Sequence, residues 1–164
     1  MQNRIVTERL IMNLLTLGDH DFILKLVNSK GWIEFIVDRH VCTIDDAIAY
    51  INKIISNQDI FYWVVRIKEK NTPIGIISFL KRTYLEHFDI GFAFLPEFHA
   101  NGYAFEASNK VLALVSRRSE CTPVLATTVP GNVNSIKLLN KLGLHFEKVI
   151  EVENQELHIY SNRQ

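Results

Sequence analysis

Three apolar runs separated by very short connections are the strongest constraint on how this chain can fold. "IFYWVVRI" (60–67) and "IGIISFLKR" (74–82) are divided only by the charged turn "KEKNTP", and "HFDIGFAFL" (87–95) follows soon after. β-Branched and aromatic runs bounded by turn residues are strands. A parallel crossover takes a dozen or more residues, so strands joined this closely must be antiparallel neighbours. The chain is therefore expected to build a meander and to use its remaining length to cover the faces.

The flanking segments supply that cover. "ERLIMNLLT" (8–16) alternates loosely and predicts a first strand. Asp19 is placed to cap a short helix through "HDFILKLVNS" that stops at Gly31. In "CTIDDAIAYINKIIS" (42–56), Thr43 is a good cap, Asp45 and Asp46 suit the first turn, and Ala47, Tyr50, Ile51, Ile54 and Ile55 share one stripe. After the meander the pattern changes. A helix is expected from Gly102 to about Arg118, a strand at "PVLATTV" (123–129), and a helix at "NVNSIKLLNKL" (132–142) closed by Gly143. Two last strands follow, "HFEKVIEV" (145–152) and "QELHIYS" (155–161). The class is α/β with a mixed sheet.

The chain has 164 residues, 48% of them apolar, which suits one sizeable core, and no linker or repeat divides it, so residues 1–164 are expected to form a single domain. Eighteen Lys and Arg balance eighteen Asp and Glu. No general field then favours nucleic acid or an acidic membrane. Cys42 and Cys121 are too few for a secreted disulfide framework. With no signal-peptide pattern and no apolar run of about 20 residues, the expectation is a cytoplasmic protein with two free thiols.

The stretch "IGFAFLPEFHANGYAFEA" (90–107) raises a chemical possibility. A strand that turns into a helix N-terminus leaves amide groups without intrahelical partners, and the helix dipole adds roughly half a positive charge there. Gly102 admits close approach, and Ala100 and Ala104 add little bulk, so a diphosphate fits. An ordinary strand-to-helix turn relieved by Gly102 fits the same residues. In "VPGNVNSIKLLNKLGLHFE" (129–147), Asn132 and Ser135 sit three apart at a helix start, where either can simply cap.

Taken together, "IGFAFL", "ANGYAFEA" and "NVNSIKLLNKLGL" resemble the GNAT superfamily of acyl-coenzyme A-dependent N-acetyltransferases, in particular its ribosomal-protein-acetylating branch. "TERLIM" and "IGIISF" look like that family's first and third strands, so the likeness covers nearly the whole chain. It departs at His99, where the family has Gln or Arg, at Ala100 in place of the loop's first glycine, and at Leu144 in place of phenylalanine. The resemblance implies a single domain with a mostly antiparallel sheet of about seven strands and about four helices, splayed between the fourth and fifth strands.

The resemblance also implies a cofactor site for acetyl-coenzyme A. Its pyrophosphate would rest on the amides of Ala100, Asn101, Gly102, Tyr103 and Ala104. Its pantetheine arm would bond backbone groups of Phe92, Ala93, Phe94 and Leu95, with Asn132 and Ser135 on the other side. The implied reaction is direct attack of a primary amine on the donor thioester within a ternary complex. Such an amine, with a pKa of about 8 at an N-terminus or about 10.4 in lysine, is mostly protonated at neutral pH and benefits from a base. An N–H near Ala93 would meet the oxyanion. Many relatives use a tyrosine at the position of Leu139 to meet the departing thiolate; here the branch's serine, Ser135, takes that role. Asp89, just before "IGF", is first choice for the base, ahead of Glu86, His87 and Asp59.

The other candidates carry less. The histidines have no ligand spacing, and no metal is expected. Trp32 and Phe35 suit either an acceptor pocket or plain packing, and Arg82 either steers an acidic acceptor or is solvated at a strand end. The acceptor is expected to be a protein N-terminus or a small-molecule amine, with no nucleic acid or membrane partner, and the protein a monomer or homodimer. A catalytically silent acyl-coenzyme A sensor or interaction module is the alternative.

Overall fold

The computed structural model describes residues 1–36 and 38–163. Eight strands form one sheet: β1 (Arg4–Val6), β2 (Leu10–Leu14), β3 (Ile60–Ile67), β4 (Thr72–Lys81), β5 (Phe88–Phe94), β6 (Leu125–Thr128), β7 (His145–Val152) and β8 (Gln155–Ser161). Their spatial order is β1-β2-β3-β4-β5-β6-β8-β7. Every pair is antiparallel except β5 with β6. The expected meander is present as β3, β4 and β5. β4 and β5 stay in register from Gly75↔Phe94 to Lys81↔Phe88.

The helices are α1 (His20–Val27), α2 (Lys30–Phe35), α3 (Ile44–Ile55), α4 (Tyr103–Val115) and α5 (Val133–Lys141). α3 begins as its sequence predicts: Thr43 Oγ1 accepts from the Asp46 amide at 3.1 Å, and the Asp46 carboxylate accepts from the Thr43 amide at 2.9 Å. This reciprocal cap satisfies two end groups at once. Its buried stripe is Ala47, Ile51 and Ile54, whereas Ile55 turns outward at 45% exposure.

Alternation along the strands divides the core between two layers. Val65, Ile77 and Ile90 pack with Val111 of α4 and Leu139 of α5, while Val64 and Ile76 pack with Ile23 of α1, Trp32 of α2 and Ile51 of α3. Helices therefore cover both faces.

The expected α/β class with a mostly antiparallel sheet holds, and three details differ. The sheet has eight strands rather than about seven, because "RIV" folds back on β2 through a turn in which Thr7 N–H donates to Leu10 O and Leu10 N–H to Thr7 Oγ1, each at 3.0 Å. Three residues are too few to show alternation. Five α-helices replace about four, because Gly31 lies inside α2 instead of ending α1, which stops at Val27 with Asn28 as its cap. Asp19 does not cap α1: its carboxylate turns back to accept from Thr16 N at 2.8 Å and Thr16 Oγ1 at 2.9 Å, and it pairs with Arg66.

The expected splay lies between β5 and β6, the fourth and fifth strands once the short β1 is set aside. They share one residue pair, Asp89↔Leu125. Cys42 and Cys121 are both free thiols, exposed and buried respectively. Among the described residues no helix is long and apolar enough to cross a membrane.

Candidate active site

Beyond Asp89, β5 has no partner on its β6 side, and a cleft of about 620 Å³ occupies the gap. Phe92 and Ala93 of β5, Asn132 and Ser135 of α5, and Thr127 and Thr128 of β6 line it. Which groups of β5 face the gap follows from ladder alternation. Leu95 N–H donates to Ile74 O at 2.9 Å, so Leu95 turns towards β4. Two residues back along an antiparallel strand, Ala93 turns the same way. Phe92 and Phe94 therefore direct their backbone groups at the gap, and the Phe94 carbonyl already contacts the His99 ring at 2.9 Å. Of the four residues expected to bond an arm through their backbone, these two have the orientation. The open N–H donors near the expected oxyanion position belong to them and not to Ala93.

His99 thereby ties the end of β5 to the loop entering α4. In that loop Ala100 has φ +60° and Gly102 has φ +77°, both left-handed. The alanine thus holds the conformation a glycine would take freely. Among the described residues, no acceptor meets the amides of Ala100, Asn101, Gly102, Tyr103 or Ala104. These five donors, at the N-terminus of a 13-residue helix, form a place for an anion.

The loop is held from outside by residues that pattern reading did not connect. Glu106, in the first turn of α4, accepts from Thr7 Oγ1 at 2.6 Å, from the Arg9 amide at 3.0 Å and from Arg9 Nε at 2.7 Å. Arg9 also donates through Nη1 to the Asn101 carbonyl at 3.1 Å and lies over the Tyr103 ring at 4.6 Å. Burial alone raises the Glu106 carboxyl, but Thr7 and Arg9 outweigh it and hold it below the usual range. The signal was in "TERL" and "YAFEA", which no spacing rule relates.

Asn132 is the N-cap of α5, its Oδ1 accepting from the Ser135 amide at 3.1 Å. Ser135 is half-buried, and its hydroxyl has no partner among the described residues. Leu139, one turn on, is 1% exposed and also lines the cleft.

Of the four proposed bases, Asp89 is the one that lines the cleft. It is not a solvated strand end. It is 1% exposed, with Thr127 Oγ1 donating to Oδ2 at 2.9 Å and Arg82 Nε 3.2 Å from Oδ1. The Arg82 contact is a close ion pair without the alignment of a hydrogen bond. Burial pushes the Asp89 carboxyl above its usual range, against the pull of Arg82 and Thr127. Arg82 is consequently a partner inside the site and not a solvated strand end.

The opposite wall combines both expectations for Trp32, which packs in the core at 3% exposure and also lines the cleft with Phe35. Arg39, Tyr62 and Tyr84 complete this aromatic side. On the cleft floor, Tyr62, Ser78 and Gly91 stand in register across three strands. A Cβ on Gly91 would come within 2.6 Å of Ser78 Oγ, so glycine keeps this floor low. Among the described residues no group of three or more His, Cys, Asp or Glu gathers to hold a metal.

The acetyltransferase (GNAT) domain family matches residues 9–145. The uncharacterized N-acetyltransferase YnaD of Bacillus subtilis is 26% identical over 155 residues, spanning 92% of this chain and 90% of its own. The ribosomal-protein-S5-alanine acetyltransferase from Vibrio fischeri superposes with a TM-score of 0.81 at 18% identity, covering 98% of this chain and 96% of its own. The microcin C7 self-immunity acetyltransferase MccE, solved with acetyl-CoA and AMP, has a TM-score of 0.81 at 18% identity, covering 94% and 92%. At such identities the two structures establish likeness of fold.

Proposed function

We propose, from the premise that this chain belongs to the GNAT acetyltransferase family, that it transfers the acetyl group of acetyl-coenzyme A to a primary amine by direct attack in the cleft between β5 and β6. The observation that carries this reading is the junction of two features. β5 borders a gap past its single pair with β6, and His99 ties the end of that strand to a loop whose five amides have no partner among the described residues. The residues fit the donor: the amides of 100–104 suit its diphosphate, and Phe92 and Phe94 offer a strand edge to its amide-bearing arm.

Each residue then has a task. The amides of Phe92 and Phe94 are donors for the oxygen on which charge develops. Asp89, its carboxyl raised by burial, accepts the proton that the incoming amine loses, directly or through water. The Ser135 hydroxyl donates to the departing sulfur. Asn132 holds the start of α5 so that Ser135 faces the cleft.

One observation favours the alternative of a silent acyl-coenzyme A sensor: both Asp89 oxygens already have close partners. Purified protein incubated with acetyl-coenzyme A and a panel of amines separates the two. Amine-dependent release of free thiol is the expected result. A cofactor-induced rise in melting temperature with no thiol release from any amine would leave the sensor.

A further inference from the structure

Asp89 has Arg82 3.2 Å away, which cancels one positive and one negative charge of the cleft locally. Of the other charged residues lining it, Glu153 sits in the β7–β8 turn, while Arg39 follows α2 on the aromatic wall and makes no ion pair among the described residues. Around Arg39 the nearest polar groups are neutral phenols. Burial holds the Tyr62 and Tyr50 phenols above their usual range, so both keep their protons, and Arg39 acts on each of them. Trp32 Nε1, on the same wall, is buried with no acceptor among the described residues. A wall whose guanidinium no carboxylate among the described residues neutralises is unsuited to a second ammonium and suited to a carboxylate, which a guanidinium grips with two parallel hydrogen bonds. The apolar part of that wall, Trp32, Phe35 and Tyr84, suits a hydrophobic or aromatic substituent.

We infer that the acceptor is a small amine bearing a carboxylate and an apolar side chain, in the manner of a free α-amino acid, with Arg39 holding the carboxylate. The inference rests on the acetyl-transfer reading above. It disfavours polyamines and polycationic amino sugars, whose second charge would face Arg39. It also disfavours a protein N-terminus, whose neighbouring carbonyl is neutral.

The test compares four acceptors with acetyl-coenzyme A, reading kcat/KM by thiol release: phenylalanine, phenylalaninamide, phenethylamine and spermidine. Phenylalanine is expected to exceed its neutral amide and phenethylamine by about tenfold or more, as for one charge-assisted contact. In Arg39→Gln the ratio of phenylalanine to phenethylamine should fall towards one, with the melting rise on coenzyme A addition showing that the variant is folded. Equal rates for the first three amines, a preference for spermidine, or an undiminished ratio in the variant would overturn the inference. If no amine releases thiol, acetyl transfer itself fails, and binding to the coenzyme A-saturated protein decides the pocket chemistry. N-acetylphenylalanine must then bind about tenfold more tightly than N-acetylphenethylamine. Equal binding, or none, rejects the carboxylate site.

Discussion

Arg9 and Glu106 stand 97 positions apart in the chain and meet at 2.7 Å, joining the β1–β2 turn to the first turn of α4. Arg9 also reaches the Asn101 carbonyl, so the pair holds the loop whose amides are proposed to receive the diphosphate. Glu106→Gln should therefore weaken coenzyme A binding by about five- to tenfold through loss of charge-assisted bonds, with kcat little changed. Titration calorimetry with coenzyme A checks it; unchanged affinity would mean that the loop holds its shape without the latch.

The two left-handed positions in that loop should respond in opposite ways. Ala100→Gly removes a left-handed penalty of roughly 1–2 kcal/mol, so it should raise the melting temperature slightly and keep coenzyme A binding. Gly102→Glu adds a strained side chain and a negative charge, with its Cβ 3.4 Å from an Arg9 nitrogen. It should abolish the melting rise that coenzyme A produces by binding the folded state. A folded Gly102→Glu protein with the full rise would remove the phosphate assignment.

Ser135→Ala tests the proposed thiolate partner. Because Asn132 caps α5 through the Ser135 backbone amide and not through its hydroxyl, the helix start should survive the substitution. Turnover should drop by about 100-fold with coenzyme A affinity nearly intact. A wild-type kcat would leave Ser135 a helix-start residue.

Asp89→Asn separates chemistry from stability through pH. At neutral pH the rate should fall by about 10²-fold to 10⁴-fold and recover partly as the pH approaches the amine's own pKa. Stability should move the other way. Since burial raises the folded-state pKa of Asp89, its protonated form is favoured by folding, and that contribution is lost as pH rises through the folded value. The melting temperature of Asp89→Asn relative to wild type should thus be lowest under acid conditions and climb towards neutrality. A pH-independent difference would mean that Arg82 and Thr127 hold Asp89 ionised throughout.

The parts of the fold legible in the sequence were those decided by local chemistry. Thr43 and Asp46 announce the start of α3 within four residues, and the meander follows from runs too closely spaced to pair otherwise. The starts of α4 and α5 were legible in Gly102 and Asn132, while the roles expected there towards a cofactor came through resemblance to a family. What stayed hidden depends on side chains meeting across the sheet. Nothing near Asp89 in sequence says that Thr127 will seal it, and Arg82 reads as a strand-end cation until β5 brings Asp89 beside it. Arg39 and Trp32 share a wall with Tyr62 only because α2 and β3 pack together on one face. The turn of Ala93 and Leu95 towards β4 likewise needs the register, which composition does not carry.

The single rung Asp89↔Leu125 has a mechanical consequence. Between two well-paired halves this one backbone rung, with the Thr127–Asp89 side-chain hydrogen bond beside it, makes the seam the least-bonded part of the sheet, where flexing of one half about the other is expected to concentrate. An acyl donor lying along Phe92 and Phe94 would act as splint as well as substrate. Slowed hydrogen exchange at those two amides, and at Thr127 and Thr128 across the seam, should accompany coenzyme A binding, while exchange in β3 stays as it was. Unchanged exchange across the seam would mean that the sheet is already stiff without the donor.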